Sequence, residues 1–477
     1  MSQFITIQVG QCGNQIGSAF WPLVLHEYGI QTTSNEINFL KTQKNYNKNI
    51  NDLCDAFNSF FYVPKFNSDL AFKTVSELVS AKVKARAVLI DMEDSVVARF
   101  KQGPLRNLFD QTCTVTNYPG SANNWAVGYH THGGNYHDEI SETIRKTVEK
   151  CDCLHGFLIT HSLGGGTGSG LGTATLKILA DNYNHVDRFV TCVYPAGTED
   201  VITSPYNVLL ATKQLTDFAT CVFPAENKAL QDICYGHTKK KENSDQAKYN
   251  ASCRPFQDMN SIIVNMLLHL TSGSRFSGSL NTDMNELATN LVPYPNLHYI
   301  FSSVSPATLT APAIAMSQKT RFLDELFTNA WSRNNQMIKA DPFQTDSVIL
   351  GAAHIVRGDT SLTDIRKNIS RFQNKVNFTE WSKEVMKVGL CSVPPAGHPV
   401  SLLSLVNSTS MSSMLLEVIR QFDKLYKKKA HVHHYLQVDN FEEDHFRESR
   451  NSAINVYEGY MELQKQKPIN EPRLRLI

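Results

Sequence analysis

Five glycines stand in the seven residues Gly164-Gly165-Gly166-Thr167-Gly168-Ser169-Gly170, between an apolar run and a helical pattern. A loop of this kind turns backbone N–H groups inward, and the dipole of the helix that follows adds positive potential. Both favour a polyphosphate. A flexible glycine-serine linker has the same composition, but this run lies inside a strand-to-helix turn rather than between domains. No lysine stands in Walker A register, so the phosphate charge must be met by backbone dipoles and a metal ion. A second glycine-rich turn, Gly10-Gln11-Cys12-Gly13-Asn14-Gln15-Ile16-Gly17, closes the first strand. Its spacing is not the dinucleotide pattern and no acid follows about 20 residues on, which argues against a nicotinamide enzyme. Gln11 and Gln15 share one helical face and can reach phosphates and their metal.

These loops need a scaffold, and the first half of the chain alternates strands and helices. Phe4 to Val9, Ala87 to Ile90, Phe157 to Thr160 and Phe189 to Val193 are β-branched or apolar runs, each followed by a helical pattern. Such runs predict a parallel sheet buried on both faces, with ligands at the carboxyl ends of its strands. The stretch from Phe256 becomes apolar all round by Ile262 to Leu270, which predicts a central buried helix. Strand signals return at Leu297–Ser303 and Val348–Val356, and helix dominates from about Ser408 to Gln464. The predicted class is α/β: a Rossmann-like nucleotide domain over 1–235, an insertion loop over 236–255, a central helix with a second α/β domain over 256–402, and a C-terminal helical cap over 403–477. Residues 31–53, with six asparagines, read as a surface loop, and the 236–255 segment with Lys239-Lys240-Lys241 as a solvated one.

Composition narrows the class. In 477 residues, 42% are hydrophobic and 19% charged, enough to bury a large core and too apolar for general disorder. The 46 basic residues against 45 acidic ones give a net charge of +1, which points away from nucleic acid and acidic membrane surfaces. No apolar run approaches the ~18 residues that span a bilayer, and the first basic side chain is Lys41, so the expectation is a soluble intracellular protein without a leader. Ten scattered cysteines suit reduced thiols. Cys151 and Cys153 read as thiols beside a strand, and His431, His433 and His434 as a helix entry rather than a metal site.

Taken together, Val9 to Gly17, Asn123-Asn124-Trp125-Ala126, Gly164 to Gly170, Pro205-Tyr206-Asn207 and Asn290-Leu291-Val292-Pro293-Tyr294-Pro295 resemble tubulins, in order and spacing, across most of the chain. The match is not clean to the α or β type. Gly120 to Trp125 looks β-like and Asp283-Met284-Asn285-Glu286 looks α-like. Cys391 to His398 and Lys427 to His431 point to the epsilon branch, with the delta branch next. Asp94 replaces the usual proline after the acidic pair, and Ser204 replaces the glutamate usual before Pro-Tyr-Asn, which puts one ribose contact in question.

The resemblance implies GTP or GDP with Mg²⁺. Gln11, Cys12, Gln15, Ser162, Gly165, Gly166, Thr167 and Gly168 would hold phosphates. Ala122 and Asn123 would close over the γ-phosphate, and Asp91 and Glu93 would hold Mg²⁺ through its waters, as a hard cation prefers. Asn227 and Asn260 would read guanine and Phe256 would stack on it. Glu286 would polarise water against the γ-phosphate of a longitudinal neighbour. The implied partners are other tubulin subunits, delta-tubulin among them, and centriolar proteins, with no nucleic acid and no membrane. The implied location is the cytoplasm and cytoskeleton, at centrioles or basal bodies; a non-polymerising adaptor or cap is the alternative. The segment from Lys465 to Ile477 carries four basic side chains against Glu471, so it is not expected to recruit motors that need acidic tails.

Overall fold

The structure is a computed structural model that describes residues 2–30, 56–64, 72–197, 199–242, 255–276, 278, 280–307, 319–379, 381–382 and 386–465. The expected insertion at 31–53 and residues 466–477 of the basic C-terminal segment lie outside these residues.

Six strands form the first sheet: β1 (Gln3–Val9), β2 (Ala87–Asp91), β3 (Thr114–Thr116), β4 (Leu154–Ser162), β5 (Asp187–Tyr194) and β6 (Cys221–Glu226). Their order is β3-β2-β1-β4-β5-β6 and every pairing is parallel. All seven residues of β1 are buried, because helices cover both faces. A continuous apolar run, not an alternating one, is what such a strand requires. Chain order reverses between β1 and β4, so the crevice outside their carboxyl ends is where a ligand has room. Helix α1 (Gly10–Glu27) leaves β1 directly into that crevice. It lies tight on the sheet: a Cβ on Gly13 would sit 2.2 Å from the Thr160 carbonyl oxygen.

Helices α2 (Asp94–Gln102), α3 (His137–Val148), α4 (Gly172–Asn182), α5 (Ser204–Phe218) and α6 (Asn227–Glu242) complete this layer. Helix α6 corrects the sequence reading, since it continues to Glu242 instead of ending in a loop at 236. Residues 243–254 of the expected insertion lie outside the described residues.

Helix α7 (Pro255–Leu270) is the expected central helix, with Ile262, Ile263, Val264, Met266, Leu267, Leu268 and Leu270 all buried. It packs against α1 on one side and the second sheet on the other. That sheet contains β7 (Phe301–Ser305), β8 (Val348–Gly358), β9 (Asn377–Phe378), β10 (Lys387–Cys391) and β11 (Val400–Ser408). Its order is β9-β8-β11-β7, with β10 also on β8, and it mixes parallel and antiparallel pairs. The strand expected at 297–303 is shifted to 301–305, while Tyr299 makes a single bridge to Val222 of β6. That bridge joins the two sheets.

A wholly buried ion triad ties the halves together. Glu27, at the end of α1, bonds Arg275 at 2.5 Å and Arg357 of β8 at 2.8 Å, all three side chains inaccessible to solvent. Both guanidiniums also donate to the Leu268 carbonyl of α7, at 2.6 and 3.2 Å. The C-terminal cap, α9 (Met411–Tyr426) and α10 (Asp444–Lys465), lies over α5. Tyr206 of α5 is enclosed there by Phe422, Tyr435 and Phe446.

Candidate nucleotide site

The two glycine-rich turns meet at the switch point. Gly10 has φ +71°, and a Cβ there would lie 3.0 Å from the Gly168 Cα. Only glycine reconciles that conformation with that approach. Asn14 fixes the turn by donating to the Gly10 carbonyl (3.0 Å) and to the Ile90 carbonyl of β2 (3.1 Å). Gln11 is exposed at this edge, and Cys12 and Gln15 are half-buried. Burial pushes the Cys12 thiol up to about 12, so it brings no negative charge to this edge.

Ser162 ends β4, and the chain then passes through Gly164, Gly165 and Gly166 into a wide helical turn, Thr167–Leu171, before α4. The Ser162 carbonyl oxygen lies 2.9 Å from where a Gly168 Cβ would be. Across the crevice the Ser121 and Thr167 hydroxyls are 3.0 Å apart, which draws the 119–124 loop onto the glycine loop. In that loop Ala122 and Asn123 are both left-handed, at φ +46° and +55°. Non-glycine residues held this way cost of order 1–3 kcal/mol each and persist only where the surroundings hold them. The surroundings are Asn207 Nδ2 and Thr203 Oγ1, which donate to the Asn123 carbonyl at 2.8 and 3.1 Å. Asn207 also donates to Gly164 O (2.9 Å) and accepts from the Trp125 N–H (2.9 Å) and the Tyr435 hydroxyl (2.6 Å). One buried amide thus binds both loops and the C-terminal cap.

Asp91 ends β2 with Oδ2 buried and unpartnered. Burial raises its carboxyl to about 7, with the nearby Glu93 charge adding, against backbone N–H groups of Glu93 and Met92 that favour the ionised form. Glu93 is exposed just before α2 and does not cap it by a side-chain bond. Its Oε1 lies 2.9 Å from where a Cβ on Gly120 would be, so it faces the same loop. Two carboxylates, one with an orphaned oxygen, are an all-oxygen set that fits Mg²⁺. No group of three His, Cys, Asp or Glu side chains poised for a metal occurs among the described residues. The remaining positions on such a cation would fall to phosphate and water.

On the other side of the sheet's carboxyl edge, Asn227 opens α6 and is half-buried, as is Asn260 of α7. Phe256, in the first turn of α7, is 65% exposed with its ring uncovered. Asn227 Nδ2 donates to Glu199 at 3.1 Å. Glu199 was not singled out in the sequence, although it stands in a strand-to-helix loop at the sheet's carboxyl edge, which was the signal available.

Glu286 lies elsewhere. It sits on α8 (Met284–Leu291), capped by Asp283, which also accepts from the hydroxyls of Ser2 and Ser274. Asn285 of the same helix donates to His155 O and Asp187, at the starts of β4 and β5. Helix α8 is therefore at the amino ends of the strands and the glycine loops at the carboxyl ends. The seven residues of β1 between them span roughly 20 Å. Glu286 is not brought to this chain's own loops. Its carboxylate is part-exposed and paired with Lys387 of β10, a partner 101 residues away that sequence reasoning missed.

A groove of about 830 Å³ runs between α5, Tyr294–Leu297 and α10, lined by Lys213, Asp217 and Glu448 among others. It lacks a glycine loop and carries acids, so it does not suit a phosphate. No helix among the described residues is long and apolar enough to cross a membrane.

The sequence pattern of the Tubulin/FtsZ family GTPase domain matches residues 3–235, and that of the tubulin C-terminal domain matches residues 295–420. The chain is 44% identical to the tubulin epsilon chain of Mus musculus, over 99% of this chain and 98% of the relative. Identity to the tubulin epsilon chain of Homo sapiens is also 44%, over the full length of both. The tubulin alpha-1 chain of Saccharomyces cerevisiae is 32% identical over 97% of this chain and 98% of its own.

Proposed function

The chain belongs to the tubulin superfamily as an epsilon-tubulin homologue and GTP-binding cytoskeletal subunit, and we propose that its GTP is hydrolysed only across a longitudinal contact between subunits. The observation that carries this reading is the separation of Glu286 from the glycine loops, at opposite ends of one sheet. Head-to-tail stacking brings the amino end of one subunit to the carboxyl end of the next, and Glu286 then faces the neighbour's γ-phosphate. There it positions or deprotonates the attacking water.

Within the pocket, inward backbone N–H groups at Gly10–Cys12 and Gly165–Gly168 bind phosphate oxygens, and Gln11 and Gln15 add side-chain amides. Ala122 and Asn123 close over the terminal phosphate. Asp91 and Glu93 hold Mg²⁺, which neutralises charge on the phosphates. Asn227 and Asn260 select guanine and Phe256 stacks on it. The partners in this reading are other tubulins, with delta-tubulin and centriolar proteins as the specialised ones, and the place of work is the centriole or basal body.

Two measurements test the pocket. GTP with Mg²⁺ should raise the melting temperature of the purified chain, and ATP at equal concentration should not, since an amide left without its partner beneath a bound base penalises the wrong purine. Equal shifts with both nucleotides would remove the assignment. Asp91→Asn keeps the shape but removes the charge that a hard cation needs. In that variant the extra stabilisation that Mg²⁺ adds to the GTP-bound chain should largely vanish, while metal-free GTP binding persists. An undiminished Mg²⁺ effect would place the cation elsewhere.

A further inference from the structure

The loop between β5 and α5 carries an acid that is doubly restrained. Glu199 folds back on its own loop: Oε1 accepts from the Ala196 N–H at 2.5 Å and Oε2 from the Gly197 N–H at 2.8 Å. Gly197 is left-handed, at φ +78°, which aims its N–H into the turn. Burial disfavours the charge, but the Ala196 N–H, the Asn227 amide and further backbone N–H groups outweigh it, and the carboxyl stays below its ordinary range. Oε1 also receives Asn227 Nδ2 at 3.1 Å.

A carboxylate can only accept hydrogen bonds. The amide nitrogen of Asn227 must therefore face Glu199, and its Oδ1 is turned the other way. Guanine offers N–H donors at N1 and N2. Adenine offers an acceptor at N1 and no amine at C2. An amide free to turn over could present oxygen to one purine and nitrogen to the other, and would discriminate poorly. Held by Glu199, it presents oxygen alone.

We infer that Glu199 is a specificity-determining positioning residue of the nucleoside subsite, which fixes Asn227 in the orientation that accepts from guanine and rejects adenine. This rests on the assignment of Asn227 to the base made above.

The experiment measures affinities of GTP and ATP for the full-length chain by competition against a fluorescent guanine nucleotide. In Glu199→Ala the ratio of GTP to ATP affinity should fall roughly tenfold to a hundredfold, the scale of one misplaced buried hydrogen bond. Most of the fall should come from weaker GTP binding. After Asn227→Ala, adding Glu199→Ala should change the ratio no further. An unchanged ratio, an equal loss for both nucleotides, or additive effects of the two substitutions would overturn the inference. If Glu199→Ala fails to fold, Glu199→Gln keeps the shape and offers Asn227 a donor as well as an acceptor, so the ratio should still fall. A ratio preserved in that folded variant is equally fatal. A wild-type chain that does not prefer GTP would instead defeat the assignment of Asn227 itself, a distinguishable failure.

Discussion

Glu286→Gln is expected to slow GTP hydrolysis in assembled subunits by roughly 10²–10⁴-fold, the usual worth of a positioned acid or base, with nucleotide content unchanged. The helix that carries Glu286 is anchored to the amino ends of β4 and β5 through Asn285, so the substitution leaves the chain's own glycine loops intact. Dilute, unassembled protein should hydrolyse GTP at the same slow rate with or without Glu286. A comparable loss in the dilute protein would mean that Glu286 acts in cis. No loss in the assembled state would remove it from the chemistry. The Glu286 carboxylate is paired with Lys387. Glutamine keeps the hydrogen bond to Lys387 but not the charge, which makes it a better probe than alanine.

Glu27→Ala should be the most damaging single change to stability. It leaves two inaccessible guanidiniums, Arg275 and Arg357, with no counter-charge, and breaking a buried ion pair from one side costs about 3–5 kcal/mol. Urea unfolding should show a loss of unfolding free energy of that size, read as a lower midpoint at unchanged slope. The effect should also depend on pH in one direction. Burial works to raise the Glu27 carboxyl, but Arg357 and Arg275 together hold it below its ordinary value. A folded-state value below the unfolded one, about 4.3, means that Glu27 contributes fully above that pH and loses its contribution as pH falls through the folded value. The gap between wild type and Glu27→Ala should therefore be widest near neutrality and narrow in acid. A gap of less than about 1 kcal/mol at pH 7 would show that the triad is dispensable. Because α1 carries the Gly10 turn at its start and Glu27 at its end, nucleotide affinity measured on the folded variant would also report how firmly the triad seats that turn.

Much of this molecule is legible locally. A strand buried on both faces must be an apolar, β-branched run, and Phe4–Val9 or Phe157–Thr160 can scarcely be anything else. A turn that exposes several N–H groups to one ligand needs residues without Cβ atoms, so Gly10–Gly17 and Gly164–Gly170 announce themselves by composition and spacing. Helix α7 is readable because a helix apolar all round has nowhere to go but the centre.

The pairings between distant side chains are a different matter. Glu27 with Arg275 and Arg357, Glu199 with Asn227, and Glu286 with Lys387 are separated by 248, 330, 28 and 101 residues. In sequence, each is an ordinary charged or polar side chain of the kind that most often faces solvent. Only the parallel crossovers decide which end of the sheet a residue occupies, and only packing decides whether a charge is buried beside its partner. Thus the nucleotide loops are inscribed in the chain, whereas the separation of Glu286 from them, and the orientation of the Asn227 amide, exist only once the sheet has closed around α7.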